Sequence, residues 1–338
     1  MTYDCVYVTA GWGAHDERWA AALLEVGLSP HVISLGRDIP DALELRLAVH
    51  EAAGDRPVLA GPLDTVTRLL ADLPIRLVGL SWGYDLDAAA TDDRSWLRRL
   101  SALIVDSRVG EEVALAAGVD PGTVTYLPWG VDLAAFAFHG PWIDAFRLGV
   151  PPHAHLVLSL DAHDPRFRVD DTVRAFASIP RRPDLHEDFP DPYLIIGHSG
   201  SQTESLRQLV RDLGVQFRVR FIDSVPEHDL VHLLGRAACY VTAAETVGPS
   251  VTLLQALACG TPVIATSTPG NRLWIEDQAT GFLFTTGDVA ELARLMDRVC
   301  HQYPADVTER ARRLIEDEAD WHANLPRLRA ALDRAATA

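Results

Sequence analysis

The sequence predicts an α/β protein built of two doubly wound parallel-sheet domains. Three observations carry this. Short apolar runs of strand length alternate with amphipathic stretches of helical period through nearly the whole chain. The rhythm breaks once, in a Pro-rich stretch at residues 138–154, and then restarts. A length of 338 residues also exceeds what one hydrophobic core usually organises.

In the first half, CVYVTA (Cys5–Ala10), HVISL, PVLAG, RLVGLS, ALIVDS and TVTYLP read as strands. Their continuous apolar character is that of strands covered on both faces, as in a parallel sheet. Helical periodicity falls between them at Glu17–Val26, Asp41–Ala53 and Arg108–Ala117. In the second half HLVLSL, YLIIG, RVRFI, ACYVTA, PVIAT and GFLF repeat the pattern, each followed by a helical stretch. The Ala/Arg/Leu/Glu-rich tail Glu309–Thr337 has helical period. The expected organisation is one domain at 1–150, a second at 151–310, and terminal helices at 311–338 free to pack back toward the first domain.

Charge and composition exclude several functions. The formal net charge of −17 argues against a nucleic-acid or anionic-membrane surface, which needs a basic patch. All 30 basic residues are arginine. Without lysine, neither Schiff-base nor P-loop chemistry is open. An anion must be held by Arg, His, backbone N–H groups or helix ends. Cys5, Cys239, Cys259 and Cys300 have no CxxC or zinc-like spacing and read as small core residues. There is no basic n-region at the start and no apolar run of about 18 residues. The expectation is a chain of the reducing cytoplasm with no integral membrane segment, metal or cofactor.

Parallel sheets bind ligands beyond the carboxyl ends of their strands, so the loops there hold the candidates. After the first strand comes AGWGAHDERW. Gly11 and Gly13 give G-x-G, but Asp16 stands where the dinucleotide fingerprint needs its third glycine, so a dehydrogenase is not expected. Two glycines still let backbone approach a ligand, and Trp12, His15, Asp16 and Arg18 follow as acceptor contacts. The competing reading is a solvated helix start with Asp16 near its N-terminus. In GLSWGYDLD, Trp82 and Tyr84 suit the face of a sugar ring. The run GHSGS (Gly197–Ser201) has the small residues of an anion nest, and His198 within it is either a ligand or a solvated loop residue. In AAETVGPSVTLLQALACGTP, Gly248, Pro249, Ser250 and Val251 form a turn opening a helix, with Ser250 a good N-cap type. Such a helix start accepts phosphate, and the Gln255 amide five residues on can reach a ribose hydroxyl.

The segments LPWGVDLAAF, YLIIGHSGSQTESLRQLVRDLGV, VRFIDSVPEHDLVHLLGRAACYVTAAE, LLQALACGTPVIATSTPGNR and TGFLFTTGDVAELA hold their order and spacing over about 126–296. In these the second half resembles the retaining GT-B glycosyltransferases of family 4, the glycosyl transferases group 1. The first half resembles the family more weakly, through GWG, LSWGYDL and ALIVDS. The resemblance implies two Rossmann-like domains facing across a cleft. It implies a UDP- or GDP-sugar donor held mainly by the second domain, at Gly197, His198, Ser199, Val225, Gly248, Pro249, Ser250, Val251 and Gln255. The acceptor, a small molecule, would lie on the first domain at Gly11, Trp12, Gly13, His15, Trp82 and Tyr84. Transfer would retain anomeric configuration without a metal, the leaving phosphate helping to deprotonate the acceptor. Asp85-Leu86-Asp87 resembles the metal-binding DxD of the other major glycosyltransferase fold, but the two-domain rhythm contradicts that fold.

The chain departs from the family pattern in two places. The family has two glutamates seven residues apart. Anchoring on ALACGTP puts the second at Gln255 and the first at Val247, with Glu245 two residues early. Either the loop bulges so that Glu245 serves, or the acid is gone. The phosphate-binding lysine column falls near Phe167, flanked by Arg166 and Arg168. The resemblance makes these arginines, with Glu245, the catalytic candidates; the competing reading pairs them with Asp164 and Asp170 at the surface. The function expected is a retaining glycosyltransferase of specialised metabolism, monomeric or homodimeric. The alternative is a degenerate, non-catalytic sugar-nucleotide-binding protein.

Overall fold

The structure is a computed structural model and describes residues 3–82, 84–86, 93–137, 148–180, 191–223, 225–245 and 250–337. It divides into two compact units, one of Met1–Gly130 with Trp321–Ala338, the other of Val131–Asp320.

The first unit holds a six-stranded sheet of β1 (Cys5–Thr9), β2 (Pro30–Ser34), β3 (Pro57–Gly61), β4 (Arg76–Leu80), β5 (Ala102–Val105) and β6 (Val124–Tyr126). All pairings are parallel, in the order β2-β1-β3-β4-β5-β6. Alternate side chains of β1 enter two different cores. Val6 and Val8 pack with Leu45, Val49 and Leu103, while Cys5 and Tyr7 pack with Trp19, Leu23 and Ile104. The helices are α1 (Ala14–Glu25), α2 (Ala42–Ala53), the short α3 (Arg68–Leu70) and α4 (Arg108–Ala116). Asp41 caps α2, accepting from Leu43 N at 2.8 Å and Glu44 N at 3.0 Å, and Ser107 caps α4 through Gly110 N at 3.0 Å.

The second unit holds β7 (His155–Ser159), β8 (Pro192–Ile196), β9 (Val219–Phe221), β10 (Cys239–Thr242), β11 (Val263–Thr266) and β12 (Phe282–Phe284). They too pair only in parallel, in the order β12-β11-β10-β7-β8-β9. Around them lie α5 (Val169–Ser178), α6 (Thr203–Asp212), α7 (Glu227–Arg236), α8 (Val251–Ala258), α9 (Val289–His301) and α10 (Ala305–Glu318). One core joins Val157, Phe176, Leu194, Val241 and Ile264 to Leu292 and Met296 of α9.

The units divide at 130 and 320, where the sequence suggested 150 and 310. The second unit begins before the Pro-rich stretch because VDLAAF belongs to it. Val131 N donates to Ala319 O at 2.7 Å, and the buried Phe136 gives its carbonyl to Arg312 Nη1 at 3.1 Å. The tail separates at Asp320. Helix α10 stays with the second unit, whereas the last helix, α11 (Trp321–Thr337), places Leu325, Leu328 and Leu332 on the core beneath Val78 and Leu80 of β4. All four cysteines are free thiols; Cys5, Cys239 and Cys300 are buried and Cys259 half-buried. Among the described residues no helix is long and apolar enough to cross a membrane.

Candidate functional site

In a doubly wound sheet a crevice opens where the strand order reverses. In the second unit that point lies between β7 and β10. The loop after β7 turns through Pro165–Phe167 into α5, and Arg168 stands at the helix start in a left-handed conformation (φ 48°). This costly backbone state for a non-glycine residue is held by its side chain. Arg168 Nε donates to Asp171 Oδ2 at 2.7 Å and Nη1 to Glu245 Oε1 at 2.9 Å. Glu245 follows β10, and its N–H donates to Arg166 O at 2.9 Å. Three candidates thus meet at the reversal point, Arg168 and Glu245 across 77 residues of sequence. The Arg166 guanidinium is exposed, lies 4.9 Å from the Phe167 ring and makes no ion pair with the described residues. Asp164 accepts from Ser201 Oγ at 2.9 Å, and these Ser201 bonds, with the charge of Arg166 adding to them, hold its carboxyl below the usual range; Asp170 pairs with Arg174 at 3.8 Å, and neither acid is in ion-pair contact with Arg166 or Arg168 among the described residues.

Gln255 lies on α8, 8% exposed, and its amide makes no hydrogen bond with the described residues. Ser250 occupies the N-cap position, but its hydroxyl makes no capping bond, a correction to the expectation. Val251 is the first residue of α8 and is half-buried. Gly248, Pro249 and Val247 lie outside the described residues. Val225 is half-buried before α7.

The GHSGS loop corrects another expectation. Its N–H groups largely serve the protein itself: Gly197 N donates to Ser159 O at 2.9 Å, Gly200 N to Thr203 Oγ1 at 2.9 Å, and Ser201 N to Asp164 Oδ1 at 3.3 Å. An anion nest with those donors engaged is a poor one. His198 is exposed with φ 66°, and Ser199 is exposed, its carbonyl accepting from His163 N at 3.2 Å.

Two residues of this edge escaped the sequence reading. His163 is fully buried, with Nε2 2.9 Å from Gly197 O and Nδ1 2.9 Å from Thr203 Oγ1. A carbonyl only accepts, so Nε2 carries the proton. Burial lowers its pKa, keeping the ring neutral. Gly200 packs on its backbone so closely that a Cβ would lie 2.7 Å from His163 O. Asp161 is also buried; Tyr240 Oη donates to its Oδ1 at 3.5 Å, while Oδ2 has no hydrogen-bond partner among the described residues. Burial pushes this carboxyl up to about 6, against the opposing hydrogen bonds from Thr242 and Tyr240. A dyad pattern of His and Asp in SLDAHD was the only available signal.

In the first unit the order reverses between β1 and β3. Asp16 there is no solvated helix start but a buried anchor, 4% exposed. It accepts from Tyr7 Oη at 3.0 Å, Thr9 Oγ1 at 2.5 Å and Gly13 N at 2.9 Å. Gly13 therefore does not offer its N–H to a ligand, contrary to expectation. A side chain at Gly11 would meet nothing within 4 Å. His15 is exposed, its ring stacked 4.8 Å from Trp129 and tilted 5.6 Å from Trp82. Trp82 is half-buried, and its Nε1 lies 2.8 Å from where a Cβ at Gly61 would stand, so only glycine fits at 61. Arg18 is not open to an acceptor: its guanidinium lies 4.0 Å from the Trp321 ring and donates to Gly130 O. Trp12 is 37% exposed with Arg37 over its ring at 4.7 Å. Tyr84 opens a short 3-10 turn, and its side chain is outside the described residues. Asp85 accepts from Ser81 Oγ at 2.6 Å and Leu63 N at 2.8 Å, which makes it a turn-stabilising residue; Asp87 lies outside the described residues.

Two parallel α/β sheets on one chain, one with an arginine–carboxylate pair at its reversal point, define the class of GT-B proteins. The family model of the glycosyl transferases group 1 matches residues 142–321, more than half of the chain, and the protein belongs to that family. It is similar to the D-inositol 3-phosphate glycosyltransferase of Frankia alni, 32% identical over 186 residues, which are 54% of this chain and 46% of that protein. The corresponding protein of Kineococcus radiotolerans is 33% identical over 168 residues, covering 48% of this chain and 39% of that one. The chain thus spans less than half the length of these curated relatives. Among solved structures, a glycosyltransferase from Rickettsia africae superimposes with a TM-score of 0.79 at 15% identity, covering 98% of both chains. Anabaena HepE in complex with UDP-glucose gives 0.75 at 18% identity, covering 98% of this chain and 100% of that one. At such identities these two structures show the fold alone.

Proposed function

We propose that the protein is a retaining, metal-independent glycosyltransferase that moves a sugar from a UDP- or GDP-sugar to a small-molecule acceptor. The observation that carries this reading is the meeting of Arg166, Arg168 and Glu245 at the reversal between β7 and β10. Arg168 is oriented by two carboxylates, and Nη2 faces Gly287, a Cβ at which would lie 3.4 Å away. That leaves guanidinium donors for the oxygens of a diphosphate, with the exposed Arg166 beside it. When the bond from the sugar C1 to the leaving phosphate oxygen breaks, negative charge grows on that oxygen, and the arginines stabilise it in place of a metal. The acceptor hydroxyl forms the new C1–O bond on the same face and passes its proton to the leaving phosphate. Glu245, held by Arg168, meets the sugar, and the Gln255 amide bonds the ribose. The first unit presents the acceptor. Support for a nucleotide-sugar donor comes from the family; HepE, similar in fold, is a UDP-glucose complex.

The test is turnover. The protein is incubated in EDTA with UDP- and GDP-sugars and a panel of small hydroxylated acceptors, and the anomer of the product is read by NMR. Product of retained configuration is expected. Inverted product, or turnover that depends on added Mg²⁺ or Mn²⁺, would overturn the retaining or the metal-free part of the reading.

A further inference from the structure

The acceptor edge of the first unit is rich in rings and poor in available cations. His15 is exposed and backed by the indoles of Trp129 and Trp82, at 4.8 Å and 5.6 Å. Ring faces of this kind pack against the C–H face of a sugar or cyclitol. Among the described residues, three arginines that follow the strands of this edge are engaged. Arg18 is stacked on Trp321 at 4.0 Å and bonded to Gly130 O. Arg37, after β2, is bidentate to Asp38 at 2.9 Å and 3.1 Å. Arg108, after β5, pairs with Glu111 at 2.8 Å and covers the Tyr126 ring at 4.0 Å. A phosphate brought here would lose its water without gaining a free guanidinium from these residues. Partial desolvation of the ring against the indoles, ahead of the opposing charge of Asp16 and with Arg18 adding to it, lowers the pKa of His15, which does not favour a cation there.

We propose that the first unit takes an uncharged acceptor, a sugar or cyclitol ring without phosphate, against His15 and Trp82, and discriminates against phosphorylated acceptors. This rests on the glycosyltransferase reading above. It sets the chain apart from the inositol 3-phosphate named for its curated relatives, and the family match at 142–321 lies almost wholly outside the first unit.

Acceptor binding can be read without donor, through the fluorescence of the eight tryptophans. The full chain is titrated with myo-inositol and D-inositol 3-phosphate, and with glucose and glucose 6-phosphate. At least one neutral ring is expected to quench the emission saturably, with its phosphate weaker by about tenfold or more. His15→Ala, at an exposed position, and Trp82→Leu should each weaken the neutral ligand. The proposal is overturned if a phosphate binds as tightly as its neutral partner or tighter, if no neutral ring binds, or if both variants bind like the parent protein. Titration with UDP and GDP on the same preparation separates this from failure of the glycosyltransferase reading, since nucleotide binding tests the second unit alone.

Discussion

At the residue scale the account turns on a few side chains whose partners are far away in sequence. If Arg168 or Arg166 contacts the donor diphosphate, replacing it by alanine removes a charge-assisted bond of about 1.5–3 kcal/mol. The variant of the contacting arginine should then lose about ten- to hundredfold in kcat/KM; unchanged kinetics in both would move the clamp elsewhere, with Arg272, in the turn after β11 and donating to Ser267 Oγ at 2.9 Å, next in line. Glu245 and Gln255 separate by ligand. Gln255→Ala should weaken binding of the bare nucleotide by about tenfold, because the ribose belongs to it. Glu245→Ala should leave bare-nucleotide affinity within about twofold and depress transfer, because its proposed partner is the sugar. Calorimetry beside a transfer assay distinguishes the two, and full transfer by Glu245→Ala would mean that the first acid of the family pattern is absent here. The identities of these residues were legible in the sequence through turn chemistry and motif spacing. Their contacts were not. The Arg168–Glu245 pair spans 77 residues, and Asp16 looked like a surface residue because nothing local showed that Tyr7 and Thr9 of β1 point to it.

At the element scale, the twelve strands among the described residues fall on apolar runs visible in the sequence, and each agrees within a residue or two. The reason is that buried parallel strands carry their signal locally. Sheet order carries none, so the two reversal points emerge only from the pairing of β1 with β3 and of β7 with β10. The allegiance of α11 was equally hidden, since its apolar stripe states that it packs but not on which unit. Leu328 on that helix is fully buried. Leu328→Ala should destabilise the first unit by about 2–5 kcal/mol through the cavity it leaves. Denaturant unfolding should show one transition moving while the other stays. Coincident shifts of both, or neither, would contradict the assignment of α11 to the first unit.

For the whole molecule, the buried Asp161 couples stability to pH. Burial raises its folded pKa to about 6 from the ordinary 3.8. A raised carboxylate means that the folded state holds a proton the unfolded chain has released. Its contribution is therefore full below pH ~4 and is lost as pH climbs through about 6. Asp161→Asn should remove that slope and leave the protein at pH 7.5 more stable than its parent, by on the order of 2 kcal/mol. Thermal unfolding at pH 5 and 7.5 checks it: the parent should lose more stability than the variant between the two, and parallel shifts would contradict the assignment. The central claim, that the crevice between β7 and β10 holds the donor diphosphate with arginines and without metal, is tested most directly by calorimetric titration of UDP and GDP in EDTA. The parent protein and an Arg166→Ala/Arg168→Ala double variant, checked for folding by circular dichroism, are compared. The account predicts that one nucleotide binds the parent and that the folded double variant loses the binding; no binding of either nucleotide to the parent, or equal affinity in the variant, would contradict it.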